Sequence, residues 1–361
     1  MRRGQSPQPA CPPKPGAITF TRIPAVGLLN DLHRPLLRLL DERTSFGEVR
    51  SAAQALYARL ADAAGLDAGA ADPRREGTGT SAGRAISPVE AARCVLDFWR
   101  TAAFLRGVLA ALEAARGRFR ETLEVVYAGT GPFATLLLPL LPSLAPRGLR
   151  VTLIDLHGRS TESVRRLVAA VGVESTVAAV VTADAARYRH GRAIHVVIAE
   201  TMQRALENEP QVAVSRNLAA QLAPGGILVP ERVSVHLGTW SIGQPRAGRE
   251  RQVELLRLRS SVGRAPPRIL GGGRMVTVPR PRGNEGLALL TRVRVFGCHR
   301  LDVNDSAITL PREVPALLVH AGRPVHARYA VGTRPGFTFA PMSEGGTSPW
   351  AGHDGRPVCI G

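Results

Sequence analysis

The sequence predicts an α/β chain: N-terminal helices, then a parallel sheet wound with helices, then an antiparallel, barrel-like β domain. Three observations lead there. Between Leu123 and Leu222, apolar strand-like runs alternate with helix-like ones, the pattern of a sheet covered on both faces. A glycine-rich turn, Gly129-Thr130-Gly131-Pro132, closes the first of those runs. From about residue 231 onward the apolar period drops to two, as in half-buried antiparallel strands.

Taken in order, residues 1–20 are rich in Pro, Gly and Arg and read as a disordered tail. Residues 21–86 read as N-terminal helices and a linker. Val49, Ala52, Ala53, Leu56, Leu60 and Ala63 form one apolar stripe, and Gly65–Ile86 is the Gly, Ala, Asp and Arg-rich linker. Residues 87–230 read as the sheet domain. Ser87, Pro88 and Glu90 cap a long helix to about Arg116, with a break expected near Trp99–Thr101. Strands are expected at 123–128, 150–155, 177–181 and 194–199, and helices at 133–141, 160–171 and 211–222. Residues 231–361 read as the β domain, with one helix at 250–258 and a Pro, Gly and Arg-rich excursion near 263–285.

Composition narrows the class. The 361 residues are 44% hydrophobic but only 4% aromatic, so the core must be built from Leu, Val and Ala. Net charge is +18, from 47 basic and 29 acidic residues. The arginines are spread along the sequence and Lys14 is the only lysine, so the charge is read as a solvated basic surface rather than a nucleic-acid footprint. Four isolated cysteines suggest a reducing compartment, and neither Cys nor His clusters at metal spacing. The start lacks the apolar run of a signal peptide, and no stretch approaches about 20 apolar residues. The expectation is a soluble cytoplasmic protein without a metal.

The candidate site lies where strands end. Gly129 and Gly131 let the backbone turn sharply beside a ligand. Asp155, at the end of the second strand, can accept from two ribose hydroxyls; Asp184, after the third, can accept from an adenine amino group. Tyr127, Pro132, Leu156 and Ala185 flank these positions. A third glycine is missing where a dinucleotide site wants one, and no phosphate-binding lysine follows the turn. The constellation therefore describes an adenosyl ligand without phosphates, S-adenosylmethionine. After the fourth strand comes an acidic loop, AETMQRALENEP, in which Glu200 and Glu209 could fold face to face and grip a planar guanidinium. The bland alternative is that Glu209 caps the next helix and Glu200 pairs with one of the many arginines.

On these residues the stretch Arg100–Val235 resembles the protein arginine methyltransferases, a branch of the class I S-adenosylmethionine-dependent methyltransferases with a Rossmann-like sheet. Gly131-Pro132 brings it nearer the symmetric-dimethylating branch. The resemblance implies that Arg100 faces the methionine carboxylate, Gly129 and Gly131 line the cofactor, Asp155 holds the ribose, Asp184 holds the adenine edge, and Glu200 and Glu209 are catalytic. It implies Phe98 and Trp99 as cofactor-covering aromatics and allows a homodimer built on residues 242–260 or the N-terminal helices. No Thr-His-Trp segment occurs in the β domain; Cys298-His299 and Ser348-Pro349-Trp350 are the nearest substitutes. The acceptor is a peptide arginine or a small guanidine. An O-, C- or amine-N-methyltransferase of a small metabolite stays open, as does a non-catalytic nucleic-acid or protein-binding module.

Overall fold

The computed structural model describes residues 28–66, 77–144, 148–241, 251–259 and 273–341. The expected tail, residues 67–76 of the linker, and Ser348-Pro349-Trp350 lie outside them. Two helices come first, α1 (Leu28–Leu40) and α2 (Phe46–Ala64). Glu48 reaches back to the Ser45 N–H at 3.2 Å to start α2, and Gly65, at φ 63°, ends it in a left-handed cap. The expected stripe is buried except Ala63; Ala64 takes the last core position. Arg106 donates to the Leu39 and Asp41 carbonyls at 2.8 and 2.9 Å, satisfying acceptors at the end of α1.

The expected linker contains a hairpin, β1 (Thr78–Thr80) and β2 (Gly83–Ala85). Then α3 (Pro88–Arg93) starts on the expected Ser87–Glu90 capping box. The helix breaks earlier than expected, at Cys94–Asp97 rather than Trp99–Thr101. Asp97 accepts the Arg100 N–H and so caps a second helix, α4 (Phe98–Arg118).

The parallel sheet comprises β3 (Leu123–Ala128), β4 (Leu149–Asp155), β5 (Val177–Thr182), β6 (Ile194–Ala199) and β7 (Leu222–Val229), in the order β5-β4-β3-β6-β7. Its helices are α5 (Leu141–Leu144), α6 (Gly158–Val171) and α7 (Gln211–Ala219). The helix expected at 133–141 is replaced by turns and a 3-10 segment, Leu138–Leu140. Pro132, Pro139 and Pro142 lack N–H donors, and Ala134 sits at φ 45°. One face of the sheet joins a core that reaches from Leu32 to Tyr329; Val126, Ala128, Ile154, Val197 and Leu218 build the core of the other.

The antiparallel part is β8 (Arg232–Trp240), β9 (Gln252–Arg259), β10 (Arg274–Thr277), β11 (Gly286–Phe296), β12 (His299–Leu301), β13 (Arg312–Glu313), β14 (Pro324–Ala330) and β15 (Gly336–Pro341). It forms two sheets, β12-β11-β8-β9 with β13 on β11, and β10-β14-β15. No ladder joins an edge of one to an edge of the other, so among the described residues there is no closed barrel. The helix expected at 250–258 is β9 instead. A bulge opposite Val235 and His236 turns both Leu255 and Leu256 into the core, which hid the period of two. That strand is therefore no helical arm, and residues 242–250 lie outside the described set. Within the 263–285 excursion, 260–272 lie outside as well, and β10 follows. Among the described residues no helix is long and apolar enough to cross a membrane. Cys94 is a free thiol but Cys298 is disulfide-bonded, so the cysteines are not all isolated.

Candidate active site

Strand order reverses at β3: β4 and β5 run out on one side, β6 and β7 on the other. Ligands of open α/β sheets bind at such a switch point, beyond the carboxyl ends of the strands. A cavity of about 500 Å³ lies there, within the usual range for a small-ligand pocket. Arg100, Tyr127, Gly129, Gly131, Asp155, Leu156, Asp184, Ala185, Glu200 and Glu209 all line it. Pro132 does not, and it starts no regular helix. Phe98 and Trp99 do not line the cavity; they pack edge-on against Phe46, with centroids 5.1 and 6.2 Å away. Cys298-His299 forms no wall of it; His299 faces Glu42 at 3.4 Å.

Gly129 and Gly131 have φ of 74° and 57°, the left-handed region glycine tolerates. A Cβ on Gly129 would lie 2.3 Å from the Thr201 methyl and 3.0 Å from the Glu200 carbonyl oxygen. The turn thus packs directly on the start of the acidic loop. Gly129→Ala is expected to lower stability by about 2 kcal/mol, from the backbone strain before any clash. A thermal melt checks it, and an unshifted Tm contradicts it.

The two aspartates are fixed by backbone donors. Asp155 accepts the Gly131 N–H at 2.8 Å on one oxygen and the His157 N–H at 2.9 Å on the other. Asp184 accepts the Ala186 N–H at 2.9 Å. An ionised carboxylate has about four acceptor positions, so each keeps capacity for ligand hydroxyls or amino groups.

The acidic loop is held from three directions. Gln211, fully buried, accepts the Thr201 N–H at 2.8 Å and donates to the Ala199 carbonyl at 2.9 Å. From the antiparallel sheets, Thr291 Oγ1 accepts the Ala205 N–H at 2.8 Å and the Tyr329 hydroxyl donates to the Leu206 carbonyl at 2.6 Å. From the hairpin, the Arg84 N–H donates to the Asn208 carbonyl at 2.6 Å. Ala205, Leu206 and Asn208 all have positive φ, so the loop is tightly coiled rather than open. Gln211→Ala would strand the Thr201 N–H and the Ala199 carbonyl. The expected cost is about 3 kcal/mol, read as a fall in Tm.

Glu200 and Glu209 are 8% and 7% exposed. Glu200 Oε2 pairs with Arg100 Nη2, as the bland alternative anticipated, but its Oε1 is buried with no hydrogen-bond partner. Glu209 is not the helix cap: Pro210 occupies that position and no side chain caps α7. Burial first, then the charge of Glu200, pushes the Glu209 carboxyl up to about 7. Arg100 is held above its ordinary value: burial opposes its charge, but the interactions with Glu200, Cys94 and Asp97 together outweigh that. Above about pH 7 these three groups therefore carry one unbalanced negative charge.

No family model matches this chain, and no curated protein matches it. Among solved structures it is similar to the Trypanosoma brucei PRMT1 enzyme–prozyme heterotetrameric complex with AdoHcy. That match is 13% identical, has a TM-score of 0.44, and covers 66% of this chain and 86% of that chain.

Several lining residues escaped sequence reasoning. Thr80, Ala85 and Ile86 come from the hairpin, hidden in a segment whose composition reads as linker. Ala307 and Ile308 come from the antiparallel part. They are brought in by Asp97, which accepts from Ser306 Oγ at 2.7 Å and the Ala307 N–H at 2.9 Å. The signal for Asp97 is its N-cap chemistry, masked by an expected break at Trp99–Thr101, about one helical turn late. His195, at the start of β6, is structural: its Nδ1 accepts the Glu124 N–H at 3.0 Å and its ring stacks on Phe119.

Proposed function

We propose that this protein is an S-adenosylmethionine-dependent N-methyltransferase whose acceptor is a guanidinium, free or in a peptide. One observation carries this reading: a buried carboxylate oxygen without a partner, Glu200 Oε1, lines the same cavity as Glu209, Asp155 and Asp184. An unmet acceptor of that kind costs stability unless a ligand donor fills it. One unbalanced negative charge suits one cation.

The residues fit the cofactor. Asp155 and Asp184 would hold its hydroxyl and amino donors, and Gly129 and Gly131 leave its path free of side chains. Arg100, which lines the cavity, would meet its carboxylate. When bound, the cofactor supplies a methyl group on a positively charged sulfur. The protein's part is positioning. Glu200 Oε1 and the Glu209 carboxylate accept N–H bonds from the guanidinium and fix one nitrogen. Glu209, poised near neutrality, accepts the proton that nitrogen loses. Ala307, Ile308 and the hairpin form part of the cavity wall. In this reading residues 87–230 form the cofactor unit and residues 231–361 the acceptor side.

Calorimetry with S-adenosylhomocysteine, followed by mass spectrometry of arginine compounds incubated with S-adenosylmethionine, tests the reading. A binding isotherm and a product one or two methyl groups heavier are expected. Methylation confined to hydroxyl or carbon acceptors, or no binding, contradicts it.

A further inference from the structure

The arginines that look scattered in the sequence are gathered by strand register. Arg259 of β9 lies opposite Arg232 of β8, Arg232 opposite Arg294 of β11, and Arg294 opposite Arg300 of β12. These four form one row across the sheet. In the next row Arg257, Ser234 and Arg292 are aligned the same way. Val233, Leu258, Val293 and Leu301 alternate with them and fill the core, so the arginines stand on the outer face. Arg259 and Arg300 are exposed; Arg232 and Arg294 are half-buried.

The two rows differ in charge balance. Arg257 pairs with Glu254 at 2.5 Å and Arg292 with Asp302 at 2.7 Å. Arg232, Arg259, Arg294 and Arg300 make no ion pair or hydrogen bond with any described residue; the field of Asp305 reaches Arg300, and those of Glu231 and Glu254 reach Arg232. Neighbouring strands are about 4.8 Å apart, so the row spans roughly 14 Å. Like charges directly opposite each other destabilise a sheet. Arg232 registers this: burial, then Arg294 and Arg257, lower its pKa.

We propose that this row is a docking surface for the phosphate backbone of a nucleic acid. Guanidinium forks match phosphate oxygens two at a time, and a straight row suits a chain of regularly repeated anions. The net charge of +18 steers a polyanion toward the protein. On β8 and β11 the two rows hold Arg232, Arg294, Arg292 and Ser234, none of them an apolar side chain that would favour a hydrophobic peptide. Contacts of this kind position a backbone without reading bases. The surface is separate from the cavity, and the proposal does not rest on methyl transfer.

The test uses the full chain, a labelled single-stranded RNA of about 20 nucleotides, a poly-glutamate peptide, and salt titration. Replacing Arg232, Arg259, Arg294 and Arg300 by Gln should weaken RNA binding at least tenfold at moderate salt. It should also flatten the slope of log K against log salt by about 3, since each single-strand phosphate contact contributes about 0.7. The charge-matched variant replacing exposed Arg34, Arg50, Arg274 and Arg334 should keep most of the slope. Should the fourfold variant not fold, Arg259→Gln with Arg300→Gln, both exposed, should flatten the slope by about half as much. An unchanged slope, an equal loss in the charge-matched variant, or binding of poly-glutamate but not RNA overturns the proposal.

Discussion

Glu200→Gln is expected to cut methyl transfer by about 10²–10³-fold, while affinity for S-adenosylhomocysteine changes only a few-fold. The reason lies in charge, not shape. Gln keeps an oxygen for Arg100, so the cavity wall survives. It removes the one unbalanced negative charge that Arg100, Glu200 and Glu209 share above about pH 7. A guanidinium entering the variant meets no net attraction and finds an amide donor beside its own donors. Arg100 also loses a charged partner, so some fall in Tm is expected and turnover must be measured well below it. Unchanged turnover in a folded variant would remove Glu200 from the mechanism.

The second large effect is on pH dependence. Glu209 is neutral below about 7 and charged above it. Turnover per unit of acceptor should therefore rise about tenfold per pH unit up to about 7 and then level off. Glu209→Gln should flatten that limb and lower the plateau. The stability signature has the opposite sense. The folded carboxyl sits above its ordinary value, so folding favours its protonated form. That contribution is whole below about 4.5 and is lost as pH rises through about 7, a swing of roughly 3 kcal/mol. Glu209→Gln should thus melt higher than the parent at about pH 8, with little difference at about pH 4. A pH-independent difference in Tm would mean that Glu209 is not held in that environment.

The parallel sheet was legible because its strands are continuous apolar runs. Val125–Ala128 and Val196–Ala199 are buried on both faces and hold no charged side chain to confuse the period. Asp155, Asp184 and Glu200 each stand at or just past the point where such a run stops, which marks them in the sequence; Glu209 lies ten positions beyond Ala199 (209 − 199 = 10) and reaches the cavity through its coiled loop. What escaped was set by long-range pairing. Pro132 promised a helix start, but two more prolines and a left-handed Ala134 turned the segment into coils. β9 looked helical because one bulge put Leu255 and Leu256 on the same side. The hairpin at Thr78–Ala85 has small polar residues and acquires meaning only against Asn208. The arginine row has no local signature at all, since its members are 62 positions or fewer apart in pairs fixed only by register (294 − 232 = 62).

The most direct measurement is a crystal structure of the protein with S-adenosylhomocysteine and free arginine. The guanidinium should sit between Glu200 and Glu209, with Glu200 Oε1 accepting one of its N–H groups, and the adenosyl end should lie against Asp155 and Asp184. Arginine found elsewhere, with Glu200 Oε1 still unpartnered or turned away from the ligand, would contradict the account.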